Sequence, residues 1–175
     1  MSRFSFVIGL TILSSACAST GATPRPFPTP HAPAPPAART APPAAATGTT
    51  GAALAYGVTG TALGLRGAPY RNGGSDPSGF DCSGFVQYVF GQNGVSVPRT
   101  VTDQFRAGRW IDAPQQLEPG DLVFFTTVTS GASHVGIAIG GDEFVHAPSG
   151  TGEVRVERLS ASYWSTRFVG ARRVL

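Results

Sequence analysis

The 175-residue chain has a formal net charge of +3, and its thirteen basic side chains are all arginines. From Gly48 onward, ten arginines balance ten carboxylates, so the part expected to be globular is formally neutral. Nucleic-acid-binding domains concentrate basic side chains on one face, so this balance argues against a nucleic-acid partner. The length suits one domain with extensions.

Residues 1–18 have the pattern of a secretion signal. The apolar run over 4–13 is too short to span a membrane and suits a signal peptide. Cys17 follows small residues, as in a lipobox, which predicts lipidation at Cys17 and a membrane anchor. Ser14 departs from the lipobox, which usually has Leu there, and an ordinary cleavage site at Ala16-Cys17-Ala18 is the alternative. We therefore expect an exported protein that is lipid-anchored to the cell envelope, or otherwise periplasmic or secreted.

Residues 19–50 are dominated by Pro, Ala, Thr and Gly and lack apolar periodicity. Such a segment buries too little apolar surface to offset its ordering entropy, so we expect a disordered, partly polyproline II tether. A tether would let an anchored enzyme reach a distant substrate, although a plain linker explains the composition equally well. Residues 51–175 are then the globular domain, long enough for one core.

Helices are predicted first and strands later in this domain. Apolar spacing predicts helices over 52–65 and from Cys82, and Thr100 is suited to cap a short third helix. Val154 and Val156 alternate with charged residues, which predicts a strand with one solvated face. The order predicts an α+β domain with a mostly antiparallel sheet. Strands are expected at 122–125, 134–139, 143–146, 153–157 and 168–174, with a glycine-rich turn joining the second and third into a hairpin.

Cys82 lies at the start of a predicted helix, after the loop-forming run 72–79. Unpaired N–H groups and the helix dipole favour negative charge in a first turn, so we expect a lowered thiol pKa and a nucleophilic thiolate. An isolated cysteine is more often a small buried hydrophobe. A disulfide to Cys17 is disfavoured because it would tie the tether to the core.

His134 and His146 are the only histidines after residue 50, and they open and end neighbouring predicted strands. Such strand ends can lie on one rim of a sheet, where one imidazole accepts the proton of Cys82 and the other orients the first. Cys82, His134 and His146 are thus the predicted nucleophile, base and orienting residue, with no metal or organic cofactor. A zinc site made of the same three side chains is the alternative.

Several segments together resemble the NlpC family of bacterial cell-wall cysteine peptidases, from about residue 53 to the C terminus. Their order and spacing agree with the family over about two thirds of the chain. The segments are residues 67–70, 73–74, 80–85, 119–125, 134–140, 144–147, 163–164 and 170–173.

This resemblance implies a papain-like fold and hydrolysis of amide bonds in peptidoglycan stem peptides. The bond would be γ-D-glutamyl–diaminopimelate within one stem or D-alanyl–diaminopimelate between stems. The resemblance implies that Cys82 is the nucleophile, that His134 is the base and that His146 occupies the third polar position. Attack would form a thioester that water releases, with backbone N–H groups at the helix start stabilising the oxyanion.

The resemblance also implies supporting roles beside the cysteine. The Tyr70 hydroxyl would orient the nucleophile or polarise the scissile carbonyl, with a packed aromatic as the alternative. Asp81 and Ser83 match family positions linked to substrate binding, and helix capping is an alternative or additional role. Asn72 departs from the family, which usually has an aromatic residue before Gly-Gly, so substrate preference is expected to differ.

Two functions other than hydrolysis stay open at this stage. A wall-binding lipoprotein could keep the fold without the chemistry. An acyltransferase could use the same scaffold, because an amine can intercept a thioester in place of water.

Overall fold

The computed structural model describes residues 47–111 and 114–175. The predicted signal segment 1–18, Cys17 and residues 19–46 of the predicted tether lie outside the described residues. The first helix, α1, spans Thr47–Gly64 and therefore starts before the domain boundary predicted at residue 51. Residues 47–50 are thus helical, which corrects that end of the predicted tether.

Three further helices follow, and two of them were predicted. Helix α2 spans Cys82–Gln92 and α3 spans Val101–Gln104, with Thr100 as its N-cap. Helix α4, Ser162–Ser165, was not predicted. The Asn93 side chain closes α2 by donating to the Val89 carbonyl and joins it to α1 through Thr61 Oγ1. No helix within the described ranges is long and apolar enough to cross a membrane.

Every pairing between the described strands is antiparallel, which confirms the predicted α+β class. A small hairpin of β1 (Ser75–Asp76) and β2 (Gly79–Phe80) precedes α2. The main sheet has six strands in the order β3-β8-β4-β5-β6-β7. Their bounds are Arg109–Ile111 for β3, Leu122–Phe125 for β4, His134–Gly140 for β5, Glu143–His146 for β6, Arg155–Arg158 for β7 and Phe168–Arg173 for β8.

Strand β8 lies inside the sheet, between β4 and the unpredicted strand β3. β3 has only three residues, Arg109–Ile111, and two of them are exposed. Such a short segment carries too little alternation for a strand to be predicted from its sequence.

Both faces of the sheet are buried, which explains the continuous apolar run of β4. Leu122 and Phe124 pack towards α1 and α2, whereas Val123 and Phe125 pack on the opposite face. Successive side chains of a strand point to opposite faces, so a strand covered on both sides is apolar throughout. The second face is closed by Trp164 of α4.

The predicted hairpin of β5 and β6 is confirmed, and its register brings the two histidines together. Ile137 pairs with Val145, so His146 lies opposite Gly136, two residues from His134. Residues two apart on a strand share a face, and diagonal neighbours on adjacent strands are within reach of long side chains. His134 and His146 therefore lie at the same end and on the same face of the sheet.

Candidate active site

Helix α2 begins with an N-cap that leaves two N–H groups beside the thiol. The Asp81 carboxylate accepts from the Gly84 N–H at 2.7 Å, and the Asp81 carbonyl accepts from the Phe85 N–H. The N–H groups of Cys82 and Ser83 instead hydrogen-bond the Cys82 sulfur. The capping role predicted for Asp81 is confirmed, and two donors lie beside the sulfur at the helix start.

Glycine is required at position 84 because the preceding loop crosses the helix there. The Gly74 carbonyl accepts from the Asp81 N–H at 3.0 Å. A Cβ atom on Gly84 would collide with this carbonyl oxygen. The Asp-Cys-Ser-Gly sequence thus combines a cap, a thiol and the space for a close backbone approach.

Sequence reasoning missed Arg99, which binds the side chains on both sides of Cys82. Its guanidinium donates to the two Asp81 carboxylate oxygens at 3.0 and 2.6 Å and to Ser83 Oγ at 2.9 Å. The side chains of Asp81 and Ser83, predicted to lie near substrate, are therefore held by this arginine.

Gln104 supports the same helix turn from inside the core and was also missed. Its side chain is fully buried. Gln104 Nε2 donates to the carbonyl of Ser83 at 3.0 Å and to that of Pro98 at 2.7 Å. These two bonds link α3 to the first turn of α2 and so help to position Cys82, which lies in that turn.

Cys82 carries a free, half-buried thiol. Burial, followed by the negative charge of Asp81, raises the pKa of this thiol, while the N–H groups of Val135 and Ser83 act in the opposite direction. The expected lowering of the thiol pKa is therefore wrong, because lost solvation and a neighbouring carboxylate outweigh the helix start. The contact with Val135 places the sulfur at the first residues of β5, beside His134.

The two imidazoles are joined by a short hydrogen bond. His134 Nε2 and His146 Nδ1 are 2.7 Å apart, and both rings are buried. Burial lowers the pKa of His134 to about 4, and burial together with His134 and Arg155 also lowers the pKa of His146. Both rings are thus neutral near pH 7, and Nδ1 is the ring nitrogen of His134 that this bond does not use.

Glu157 and Trp164 complete the surroundings of the histidines, and neither was predicted as a site residue. The Trp164 ring is stacked on His134 with centroids 5.5 Å apart, and its Nε1 donates to Glu157 Oε2. The same carboxylate oxygen is 3.8 Å from His146 Nε2. The solvated face predicted for β7 is therefore wrong at Glu157, which packs against the site because α4 covers that face.

Tyr70 lies close to the Cys82 thiol, and Asn72 holds its hydroxyl. The Tyr70 hydroxyl donates to Asn72 Oδ1 at 2.9 Å. Burial raises the pKa of Tyr70, with smaller contributions from Cys82 and Asp81. Asn72 was expected to change substrate preference, and in this structure it accepts the hydrogen bond that orients the Tyr70 hydroxyl.

A cleft of about 520 Å³ opens beside His134. Its walls come from the loop after β4, the loop after β6 and the segment around α4, with Val128, Ser149 and Tyr163 among the lining residues. Tyr163 is half exposed at the rim. The lining mixes apolar side chains with hydroxyl groups, which suits a peptide-like ligand.

The described ranges contain no group of three His, Cys, Asp or Glu side chains arranged to hold a metal ion. His134 and His146 direct one nitrogen each at the other, at 2.7 Å. Because these two nitrogens are hydrogen-bonded to each other, they are not free to bind one zinc ion together, and the geometry disfavours the zinc alternative.

Comparison with known proteins places this site in a family. The family model described as NlpC/P60 family matches residues 67–173. A Bacillus subtilis protein named probable peptidoglycan endopeptidase LytE is 47% identical over 114 residues, covering 64% of this chain and 32% of the relative. The Escherichia coli protein named murein DD-endopeptidase MepH is 42% identical over 114 residues, covering 62% of this chain and 42% of the relative.

A crystal structure from Staphylococcus aureus, described as similar to lipoprotein of the NLP/P60 family, superposes with a TM-score of 0.64 at 35% identity. It covers 70% of this chain and 42% of the other, and it supports the papain-like fold. In each of these three comparisons the match spans less than half of the other protein. With cysteine, histidines and helix start all inside the matched residues 67–173, this chain belongs to the NlpC/P60 family.

Proposed function

We propose that this protein is a peptidoglycan endopeptidase that hydrolyses amide bonds of cell-wall stem peptides with Cys82 as nucleophile. The observation that carries the proposal is the 2.7 Å hydrogen bond between His134 Nε2 and His146 Nδ1, at the strand end that meets the thiol. A nucleophile, a base and a group that orients the base are the parts of a thiol hydrolase. The names of LytE and MepH support the substrate class.

The first step follows from the resting charges. The Cys82 thiol has a raised pKa and His134 a lowered one, so both groups are neutral near pH 7. The proton passes from Sγ to His134 as the sulfur attacks the carbonyl carbon. The N–H groups of Cys82 and Ser83 donate to the developing oxyanion.

The second half of the reaction returns the proton. His134 protonates the departing amine, and the C–N bond breaks to leave a thioester on Cys82. His134 then accepts a proton from water as the water attacks the thioester; the C–S bond breaks to release the carboxylic acid, and His134 returns this proton to the Cys82 sulfur. His146 orients the His134 ring throughout. The steps use no metal or organic cofactor.

Tyr70, Asp81 and Ser83 support this reaction at different points. Tyr70 contributes its ring and hydroxyl beside the thiol. Asp81 and Ser83 act through Arg99, which holds the turn of α2 that carries Cys82. The proposed role of Asp81 and Ser83 is therefore to position the nucleophile. On this side of the cysteine, the residue proposed to contact substrate is Tyr70.

We further propose that the protein is exported and lipidated at Cys17, with residues 19–46 as the tether. The test is intact mass and membrane fractionation of the protein from a bacterial host, beside Cys17→Ala. A lipidated N-terminal Cys17 and a membrane fraction that is lost in Cys17→Ala support the anchor. A soluble wild-type protein cleaved after Ala18 rejects it.

The central test is incubation with purified sacculi and defined muropeptides, with products identified by mass spectrometry. Wild-type protein is expected to release fragments cut at γ-D-glutamyl–diaminopimelate or at D-alanyl–diaminopimelate, and the fragment mass tells which. Cys82→Ala serves as the matched control and should give no product. Equal product from both proteins would refute the mechanism.

The same assay separates the two other functions. Binding to sacculi without cleavage by the wild-type protein would indicate a wall-binding role. Adducts with an added amine, in place of the hydrolysed acid, would indicate an acyltransferase.

A further inference from the structure

The ring nitrogen of His146 that does not bond to His134 lies near the carboxylate of Glu157. His146 is fully buried, and its Nδ1 is occupied by His134. Its Nε2 has no hydrogen-bond partner among the described residues. The Glu157 carboxylate lies 3.8 Å from this nitrogen.

The register of the sheet places Glu157 on the face that carries the histidines. His146 pairs with Arg155 in the β6–β7 ladder, and Glu157 is two residues further along β7. Glu157 therefore points to the same side as His146. Trp164 Nε1 donates to its Oε2, and Arg155 Nε lies 3.2 Å from its Oε1. These contacts hold the carboxylate with its Oε2 3.8 Å from His146 Nε2.

A neutral His146 can carry its single proton on either ring nitrogen. Burial, together with His134 and Arg155, keeps this ring neutral, and the Glu157 carboxylate lies 3.8 Å from its Nε2. A carboxylate beside Nε2 favours the tautomer with the proton on Nε2. The proton of the bond between the two rings must then belong to His134 Nε2, with His146 Nδ1 as acceptor.

The choice of tautomer decides whether His134 can act as a base. With its proton on Nε2, His134 has a lone pair on Nδ1, the nitrogen left for the Cys82 proton. In the opposite arrangement His146 donates from Nδ1, and His134 carries its proton on Nδ1. That form cannot accept from the thiol, as in hydrolases whose orienting group stabilises the wrong tautomer.

We propose that Glu157 is a positioning residue that fixes the tautomers of His146 and His134, and so keeps His134 Nδ1 unprotonated for Cys82. The inference rests on the proposed function for its effect on catalysis. Glu157 touches neither the nucleophile nor the scissile bond in this proposal. It acts through His146 and through Trp164, whose ring is stacked on His134.

The test compares Glu157→Leu, which removes the acceptor, with Glu157→Gln, which keeps an acceptor oxygen without the charge. Glu153→Leu is the matched control, because Glu153 is an exposed carboxylate on the same segment. Nitrogen-15 NMR of labelled histidines reports each tautomer directly and needs no substrate. The rate of Cys82 alkylation by iodoacetamide is a second readout without substrate.

In the wild type we expect the Nε2–H tautomer at both His134 and His146. Glu157→Leu should give a mixture of tautomers, a kcat lowered roughly 10- to 100-fold and a KM changed by less than about twofold. Glu157→Gln should recover part of both effects, and Glu153→Leu should match the wild type.

Unchanged tautomers in a folded Glu157→Leu variant would overturn the proposal, whatever its activity, as would wild-type spectra with the proton on His134 Nδ1. A wild type that shows the expected tautomers but cleaves no peptidoglycan would leave Glu157 in its role and reject the proposed substrate. The two claims therefore fail separately.

Discussion

The Arg99 guanidinium binds both oxygens of the Asp81 carboxylate, at 3.0 and 2.6 Å, next to the residue that carries the thiol. The pair fixes the cap of α2 and also sets the charge beside Cys82. Asp81 raises the pKa of the thiol and Arg99 offsets that charge. The two residues therefore have opposite effects on the nucleophile while they stabilise the same turn.

Charge changes in this pair should shift the reactivity of Cys82 in opposite directions. Asp81→Asn removes the negative charge, so the thiol pKa should fall and alkylation should accelerate at neutral pH. Arg99→Gln leaves Asp81 without its counter-charge, so the thiol pKa should rise and alkylation should slow. The pH profile of the iodoacetamide rate measures both. Arg71→Gln is the control, because its ion pair with Asp76 is half exposed. Shifts of both variants in one direction would contradict the assignment.

The glycines of α2 offer a matched pair for testing the loop crossing. Gly84→Ala must displace the Gly74 carbonyl, so we expect a loss of about 1–3 kcal/mol in the free energy of unfolding and reduced activity. Gly91→Ala meets open space in the same helix and should gain about 0.5–1 kcal/mol with unchanged activity. Urea unfolding followed by circular dichroism measures both values. A stabilised Gly84→Ala variant would show that the crossing tolerates a methyl group.

Acid should destabilise the fold through the buried histidines. His134 has its pKa lowered to about 4, so in the unfolded chain it binds a proton near pH 6.5 that the folded state refuses. Its contribution is fully present above pH 6.5 and is lost as the pH falls towards 4, by up to about 3 kcal/mol. Urea unfolding at a series of pH values from 7 to 4 measures the slope of the free energy of unfolding against pH. His134→Gln should make the free energy of unfolding depend less steeply on pH, with the contribution of His146 remaining, and an equal slope in both proteins would exclude His134 as a source.

The hydrogen bond between Tyr70 and Asn72 predicts coupled effects on catalysis. Tyr70→Phe removes the donor and Asn72→Ala the acceptor, so either change should lower kcat/KM and the double variant should lower it little further. A double-mutant cycle on a defined muropeptide measures this coupling. Strictly additive losses would mean that Asn72 acts on substrate independently of the tyrosine, as a subsite wall.

Much of the site was predictable because its parts are encoded locally. The cap, the thiol and the following apolar spacing lie within one segment, 81–90, and such short-range patterns predict a helix start. The β5–β6 hairpin was predictable for the same reason, since glycines at 140 and 141 mark its turn. Both glycines have positive φ, a conformation that glycine adopts without strain.

The sequence alone therefore predicted the thiol and the two histidines proposed for catalysis, and it determined the helix start beneath the thiol and the α+β class, because these depend on neighbours along the chain. Only the tertiary structure decided the charge state of Cys82, since burial and Asp81 reverse the effect expected of a helix start. It also decided the roles of Arg99 and Glu157. Each acts across a distance in sequence, on Asp81 and His146 respectively, and long-range contacts of this kind follow from packing and register, which no local pattern specifies.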